Sequence, residues 1–453
     1  LMSKKFLTVV AAVALVAMPI SAKKATKEYQ RPSLHMVLMT TETAQGGAQV
    51  ADPEILGYAA ESWKNYEFPS LYNNFAIPFD KTEVGAAKGS IMDVLAMYSS
   101  PESLQGKSIN ELKTIIEMLQ GKEYREALKE EVDKISDEVA HQLVRKWWSI
   151  GEDGSLSDTL LFRLACYSAT QNQANDAAQT TMGAQYQLFN ELADVTMSNT
   201  YVTFTKLDFY ENEPIAAFVR NLMQMVASLT PAPANVAAQI AADKTYEAMK
   251  EGYTAFTNNL LYKLEWNDSI ANEFYGIWEN GKVDMDKFNA MKFHLTYIGN
   301  TSANATCMMK KEDKGQGAAH MVYKTCHKAI GRQFAKMQKE YEEFRPMVPV
   351  LGIDAKGGII ADMGTKEGVK VGDKFFLLEP VTNEKGITKY NTKATLKVVK
   401  WAGDEAFVDG VWDNENIDNA AEADANAESM EIIGTHLSKF KNATPSMFVK
   451  LAK

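Results

Sequence analysis

From Tyr323 onward the apolar residues Tyr323, Cys326, Ile330, Phe334, Met337, Tyr341 and Phe344 recur at steps of 3, 4, 4, 3, 4 and 3. That spacing is one continuous face of an α-helix of about six turns. Pro346 and Pro349 follow at once. Proline lacks the donor a helix needs and restricts the residue before it, so the helix is expected to stop there. A pattern this regular, stopped this sharply, divides the chain. Before it, helical patterns alternate with isolated aromatic strands. After it come short β-runs separated by turn residues. The expected fold class is α+β: a helix-rich body with a few aromatic strands over residues 23–346, then a small all-β, barrel-like domain over 347–453.

Within the body, "KEYREALKEEVDKISDEVAHQLVRKWWS" places Leu128, Val132, Ile135, Val139, Leu143 and Trp147 on one helical face, opposite lysines and acids. From Thr200 the text turns to Thr, Tyr, Phe and Val, which favour a strand. "PIAAFVRNLMQMVASL" and "ANVAAQIAADKTYEAMKE" read as two helices separated by "TPAP", and Gly252 is expected to end the second. "RPSLHMVLMTTET", "YTAFTNNLLYKLEW" and "KFHLTYIGNTS" are further strand candidates. Beyond Met347, the β-runs are "MVPVLGID", "GIIADM", "KFFLLEP", "ATLKVVKWA", "EAFVDGVW" and "PSMFVKLAK". The acid-rich stretch "DNENIDNAAEADANAE" lies between the last two and reads as a solvated loop. Counted from Asp413, it lacks the Gly and Glu that an EF-hand loop needs at its sixth and twelfth positions.

The first 22 residues carry Lys4 and Lys5, an apolar core from Phe6 to Met18, and a small residue at Ala22. This is the pattern of a cleaved signal peptide, with a core too short to span a bilayer. The formal charge of −10 becomes −12 without Lys4 and Lys5, and such a chain lacks the basic face a general nucleic-acid binder requires. No later apolar run reaches 18 residues. The stretch Ile215 to Leu229 is broken by Arg220, Asn221 and Gln224, so no transmembrane span is expected in the mature chain. An exported protein folds in an oxidising space. Cys307 and Cys326 enclose a short polar loop and are the candidate disulfide, leaving Cys166 as the odd one. Against the bond, Cys326 lies on the apolar stripe of the long helix, where a free thiol behaves as a small hydrophobe.

One stretch looks like a functional signature: "GTKEGVKVGDKFFLLE", with glycines at Gly364, Gly368 and Gly372. A phosphate loop needs G-x-x-x-x-G-K-[ST] leading into a helix. Here Gly372 is followed by Asp373, which repels phosphate, and the next segment is strand-like. The expected role is a turn. Gly364 closes a strand, Gly368 and Gly372 take backbone angles closed to other residues, and Asp373 bonds back to the turn amides. Val369 and Val371 are expected to point inward. The Gly364, Gly368, Val369, Gly372, Asp373 layout resembles the C-terminal β-domain of the flagellar assembly protein T family, a likeness covering about the last hundred residues. That resemblance implies a structural or docking module and carries no catalytic residue. "RPSLHMVLM", "LVRKWWS", "ELADVTMSNTYV" and "NNLLYKLEWND" make the body similar to exported proteins of unknown function in Bacteroidetes-type envelopes, which implies a location and no activity.

The sequence contains no H-E-x-x-H, G-x-S-x-G or C-x-x-C motif. Gly315 and Gly317 in "DKGQGAAH" lack a preceding strand, so the segment reads as a loop before a helix. Cys326 and His327, adjacent on a helix, point about 100° apart and cannot form a dyad with each other. His294, His320 and His327 meet no metal-ligand spacing. Trp63, Trp147, Trp148, Trp266 and Trp278 read mainly as core, with sugar stacking as the alternative. No catalytic, cofactor-binding or metal-ligating residue is assigned. The expected function is a non-catalytic envelope scaffold, in the periplasm or at the outer membrane, docked to an envelope or outer-membrane protein. A glycan- or ligand-binding protein is the alternative, and a hydrolase with dispersed carboxylates the third reading.

Overall fold

In the computed structural model the chain is described over residues 33–40, 53–64, 66, 82–83 and 91–98, and with short breaks over 100–157, 193–382, 388–399, 407–412 and 434–452. The expected signal segment, Cys166 and the acid-rich stretch from Asp413 lie outside these residues.

The body is organised by a mixed five-stranded sheet in the order β2-β1-β3-β4-β7. Its strands are β1 (Ser33–Thr40), β2 (Thr82–Glu83), β3 (Thr200–Glu211), β4 (Gly252–Leu264) and β7 (Leu295–Met308). β1 runs parallel to both β2 and β3, whereas β3, β4 and β7 form an antiparallel series. Two more strands, β5 (Trp278–Glu279) and β6 (Lys282–Val283), make a small separate hairpin.

Helices cover both faces of this sheet. On one side lie α1 (Pro53–Lys64) and the long helix α10 (Gly317–Glu340), packed over Leu207, Phe209, Ala255 and Ala305. On the other lie α4 (Lys122–Asp133), α5 (Ser136–Trp147), α8 (Asp268–Gly276) and α9 (Met285–Ala290), which close the largest apolar cluster around Phe204, Leu260 and Tyr262. Farther along the same face, α2 (Ile91–Met97), α3 (Pro101–Leu104) and α6 (Asn212–Ser228) cover Tyr210 and Phe256. α7 (Ala234–Met249) packs back on α6, and Ala242 is its buried residue.

The segment expected to be one helix through Trp147 is two. α4 ends at Asp133, whose carbonyl accepts from Ser136 Oγ at 3.1 Å and whose carboxylate accepts from Tyr262 Oη at 2.8 Å. The break therefore sits where a polar anchor to the sheet interrupts the apolar stripe, and Ile135 is left half-buried. The long helix also ends earlier than its prolines suggest. Tyr341 is extended (φ −101°, ψ 126°), and Glu342–Phe344 form a single 3₁₀ turn. Tyr341 donates to the Asn300 carbonyl at 3.2 Å and lies against Gly299, where a Cβ would collide with its hydroxyl. The stripe runs on through Tyr341 and Phe344 because both still pack on the body: Phe344 is buried edge-on against Tyr201 at 5.0 Å. Gly252 opens β4 at φ 120° instead of capping α7, which stops at Met249.

The C-terminal part is an all-antiparallel sheet in the order β11-β10-β15-β8-β9-β14. Its strands are β8 (Met347–Ile353), β9 (Ile359–Ala361), β10 (Lys374–Thr382), β11 (Thr388–Lys397), β14 (Thr435–Leu437) and β15 (Phe448–Leu451). β12 (Phe407–Val408) and β13 (Val411–Trp412) form a hairpin of their own. The sheet has its own core, centred on Phe375, Leu377, Val449 and Ile359. It is open, not barrel-like. Its ends touch at the Val398–Leu437 bridge, and β14, at three residues, is too short to pair along β11.

Candidate functional site

The glycine stretch is a turn, as its residue types require, and it lies against the end of the long helix. Gly364 N donates to Glu367 Oε2 at 2.7 Å, closing a 3₁₀ turn over Thr365–Glu367. Gly368 has φ 71° and Gly372 φ 90°, the left-handed region that costs little only for glycine. Asp373 Oδ2 accepts from the Lys370 amide at 2.9 Å and from Lys339 Nζ at 2.7 Å, tying the turn to α10. A Cβ at Gly368 would stand 2.7 Å from Ala335 Cβ on that helix, whereas one at Gly372 would meet open space. Two carboxylates occupy the space a phosphate would need, so the loop is a packing device. Val369 points inward as expected, but Val371 is 45% exposed, because the turn brings its side chain out to solvent.

Cys307 and Cys326 are both buried in the cluster beneath α10, and both are free thiols. Burial pushes the Cys326 thiol up to about 12, with the Ser62 hydroxyl pulling weakly the other way. At pH 8 its thiolate fraction is then on the order of 10⁻⁴, and the thiolate is the reactive form. Iodoacetamide added to the native chain at pH 8 is expected to leave Cys326 unmodified and to label it after denaturation. Labelling in the folded chain would show that the cluster opens. A cross-linked 307–326 peptide in unreduced, envelope-purified protein would place the expected disulfide there.

The histidines and tryptophans go to separate partners. His294 Nδ1 lies 2.9 Å from Asp137 Oδ1, His320 Nε2 3.6 Å from Asp313 Oδ1, and the His327 ring 4.9 Å from Tyr66. Among the described residues no three His, Cys, Asp or Glu side chains gather as a metal site. Trp147, Trp148 and Trp266 are buried. Trp148 packs on Phe274 and Trp278, Trp266 stacks on Phe293, and Trp147 stands edge-on to His35 at 5.1 Å. Trp63 and Trp278 are half-buried against apolar clusters.

A buried polar group inside the body escaped the sequence reading. Lys206 and Asp208 on β3 share a face with Phe204 and Tyr210, by the two-residue period of a strand. Lys206 Nζ and Asp208 Oδ1 are 2.8 Å apart, with both side chains about a tenth exposed or less. Tyr124 Oη donates to Asp208 Oδ2 at 3.2 Å, and Asn258 stands opposite Lys206. Burial, reinforced by the Asp208 charge, pushes both the Tyr124 and Tyr210 hydroxyls well above their ordinary value. Asp208 therefore holds a neutral, donating phenol, and the group bridges the seam between two apolar clusters on that face. On the opposite face, Thr205 Oγ1 donates to Asn259 Oδ1 at 2.8 Å, and Asn259 Nδ2 to Thr301 Oγ1 at 3.4 Å, so side chains knit three strands. These groups hold the sheet together.

The surface offers two features. The tip of the α6–α7 hairpin leaves Val226, Leu229, Val236 and Ile240 each at least 50% exposed. A cleft of about 300 Å³ between α4 and β7 is lined by Lys122, Arg125, Glu126, Lys129, Tyr297 and Asn300. No family model matches the chain, and no curated protein matches it. Among the described residues no helix is long and apolar enough to cross a membrane.

Proposed function

We propose that this chain is a non-catalytic component of the cell envelope, exported to the periplasm or the outer membrane, that works as a scaffold by docking to a protein partner. The observation that carries the reading is the α6–α7 hairpin. α7 buries Ala242 and little else, and four large apolar side chains on the facing ends of α6 and α7 are exposed. Single exposed apolar residues are ordinary, but a cluster on a projecting element marks an interaction surface. The carboxylate-filled glycine turn and the core tryptophans add support, since the first joins two parts of the chain and the second leave few aromatic faces for a glycan to stack on. The test is photo-cross-linking in intact envelopes from Val236 and Ile240, with exposed Lys244 as a control position. A discrete protein adduct from the first two positions and not from the control is expected. Adducts to lipid or glycan alone, or none, would overturn the docking reading.

A further inference from the structure

β7 is an edge strand of 14 residues. A bare edge of that length presents a row of unpaired amides and carbonyls. Here the carbonyls are taken, and by an unusual set of donors. Tyr341 Oη, Lys336 Nζ and Arg332 Nη1 reach the carbonyls of Asn300, Ser302 and Asn304 at 3.2, 3.0 and 3.0 Å. The match is geometric: two strand residues advance about 6.8 Å and four helical residues about 6 Å, so Arg332 and Lys336 meet alternate carbonyls.

In an antiparallel strand, residues that do not exchange bonds with their neighbour turn both backbone groups outward. The amides of Asn300, Ser302 and Asn304 therefore point out of the sheet with the carbonyls. Among the described residues no strand pairs with β7 on that side. The edge thus offers donors: three amides at strand spacing, Arg332 and Lys336 on one side, and Lys122, Arg125 and Lys129 of the cleft on the other. Glu126, Asp133 and Glu340 neighbour the three lysines, but every one of these side chains is at least a third exposed, and such surface pairs exchange readily. A second copy of the same edge would bring cations against cations.

We propose that β7 is the docking edge for an extended acidic peptide segment of a partner, which adds to the sheet beside it. The partner's carbonyls accept from the amides of Asn300, Ser302 and Asn304, and its carboxylates meet the cations on both sides. The inference deepens the docking reading but uses a different surface, so loss of the hairpin cross-links leaves it standing.

The test uses the full chain and a fluorescein-labelled peptide, Thr-Glu-Glu-Val-Thr-Glu-Glu-Val-Thr, whose carboxylates alternate onto both faces of a strand, with amide hydrogen exchange as the second readout. Binding is expected to slow exchange over residues 299–305 and to weaken with salt. R125E/K129E is expected to weaken binding about tenfold or more with the fold retained by circular dichroism. Binding without protection of 299–305, or equal protection by polygalacturonate, would overturn the proposal. So would a wild-type chain that binds no peptide while R332A/K336A self-associates, because the cations would then only guard the edge.

Discussion

Lys206→Met is expected to destabilise the chain by about 3–5 kcal/mol, the cost of leaving one member of a buried ion pair uncompensated. Asp208 would then sit in a nearly solvent-free seam with Tyr124 as its remaining donor at 3.2 Å. Asp208→Leu alone should cost a similar amount, since it strands the Lys206 ammonium and the Tyr124 hydroxyl together. The informative comparison is the triple variant K206M/D208L/Y124F, which removes every partner at once. Replacing a buried polar group wholesale with apolar side chains of similar volume is often neutral or stabilising. The triple variant should therefore recover most of the loss, measured by equilibrium denaturation against both single variants. If K206M proves as stable as the wild type, the seam is wetter than its burial indicates.

Gly368→Ala is the second large effect, at about 2–5 kcal/mol. A non-glycine residue in the left-handed region costs about 1–2 kcal/mol. The new Cβ would also stand 2.7 Å from Ala335 Cβ, and overpacking of that kind costs about 1–3 kcal/mol. Gly372→Ala separates the two contributions, because its φ is 90° but its Cβ meets nothing; about 1–2 kcal/mol is expected. Ala335→Gly removes the opposing methyl, at a helix-propensity cost of about 1 kcal/mol on its own. In the double variant G368A/A335G the penalties should sum to less than the two singles, and a coupling near zero would show that the turn does not press on α10. Lys370→Ala should be silent, since its side chain is exposed and only its amide serves the turn.

Several elements were legible because they depend on local chemistry. The glycine turn is one: positive φ at Gly368 and Gly372 and the Asp373 bond to a nearby amide are properties of a ten-residue text. β3, α6 and α7 appear within a few residues of where composition and periodicity put them. Next to the expected division near Pro346, β8 begins at Met347 and a separate apolar cluster follows. Whether the C-terminal sheet closes was not decided by the runs themselves, since closure depends on the length of strands far apart in the text, and β14 is three residues long.

Which segments become helix, strand and turn follows from local chemistry, because period, glycine and proline act over distances of a few residues. Which faces are covered, and what meets across them, depends on how the elements pack. "TYVTFTKLDFYE" reads as a strand, but its Lys206 and Asp208 become a buried pair only because α4 closes over a strand already covered by α10 on its other face. The outward carbonyls of β7 carry no mark of the side chains that reach them, because Arg332, Lys336 and Tyr341 stand 28 to 41 residues away in the chain. Burial and pairing are set by whatever layer packs opposite, and that layer is fixed by the path of the whole chain.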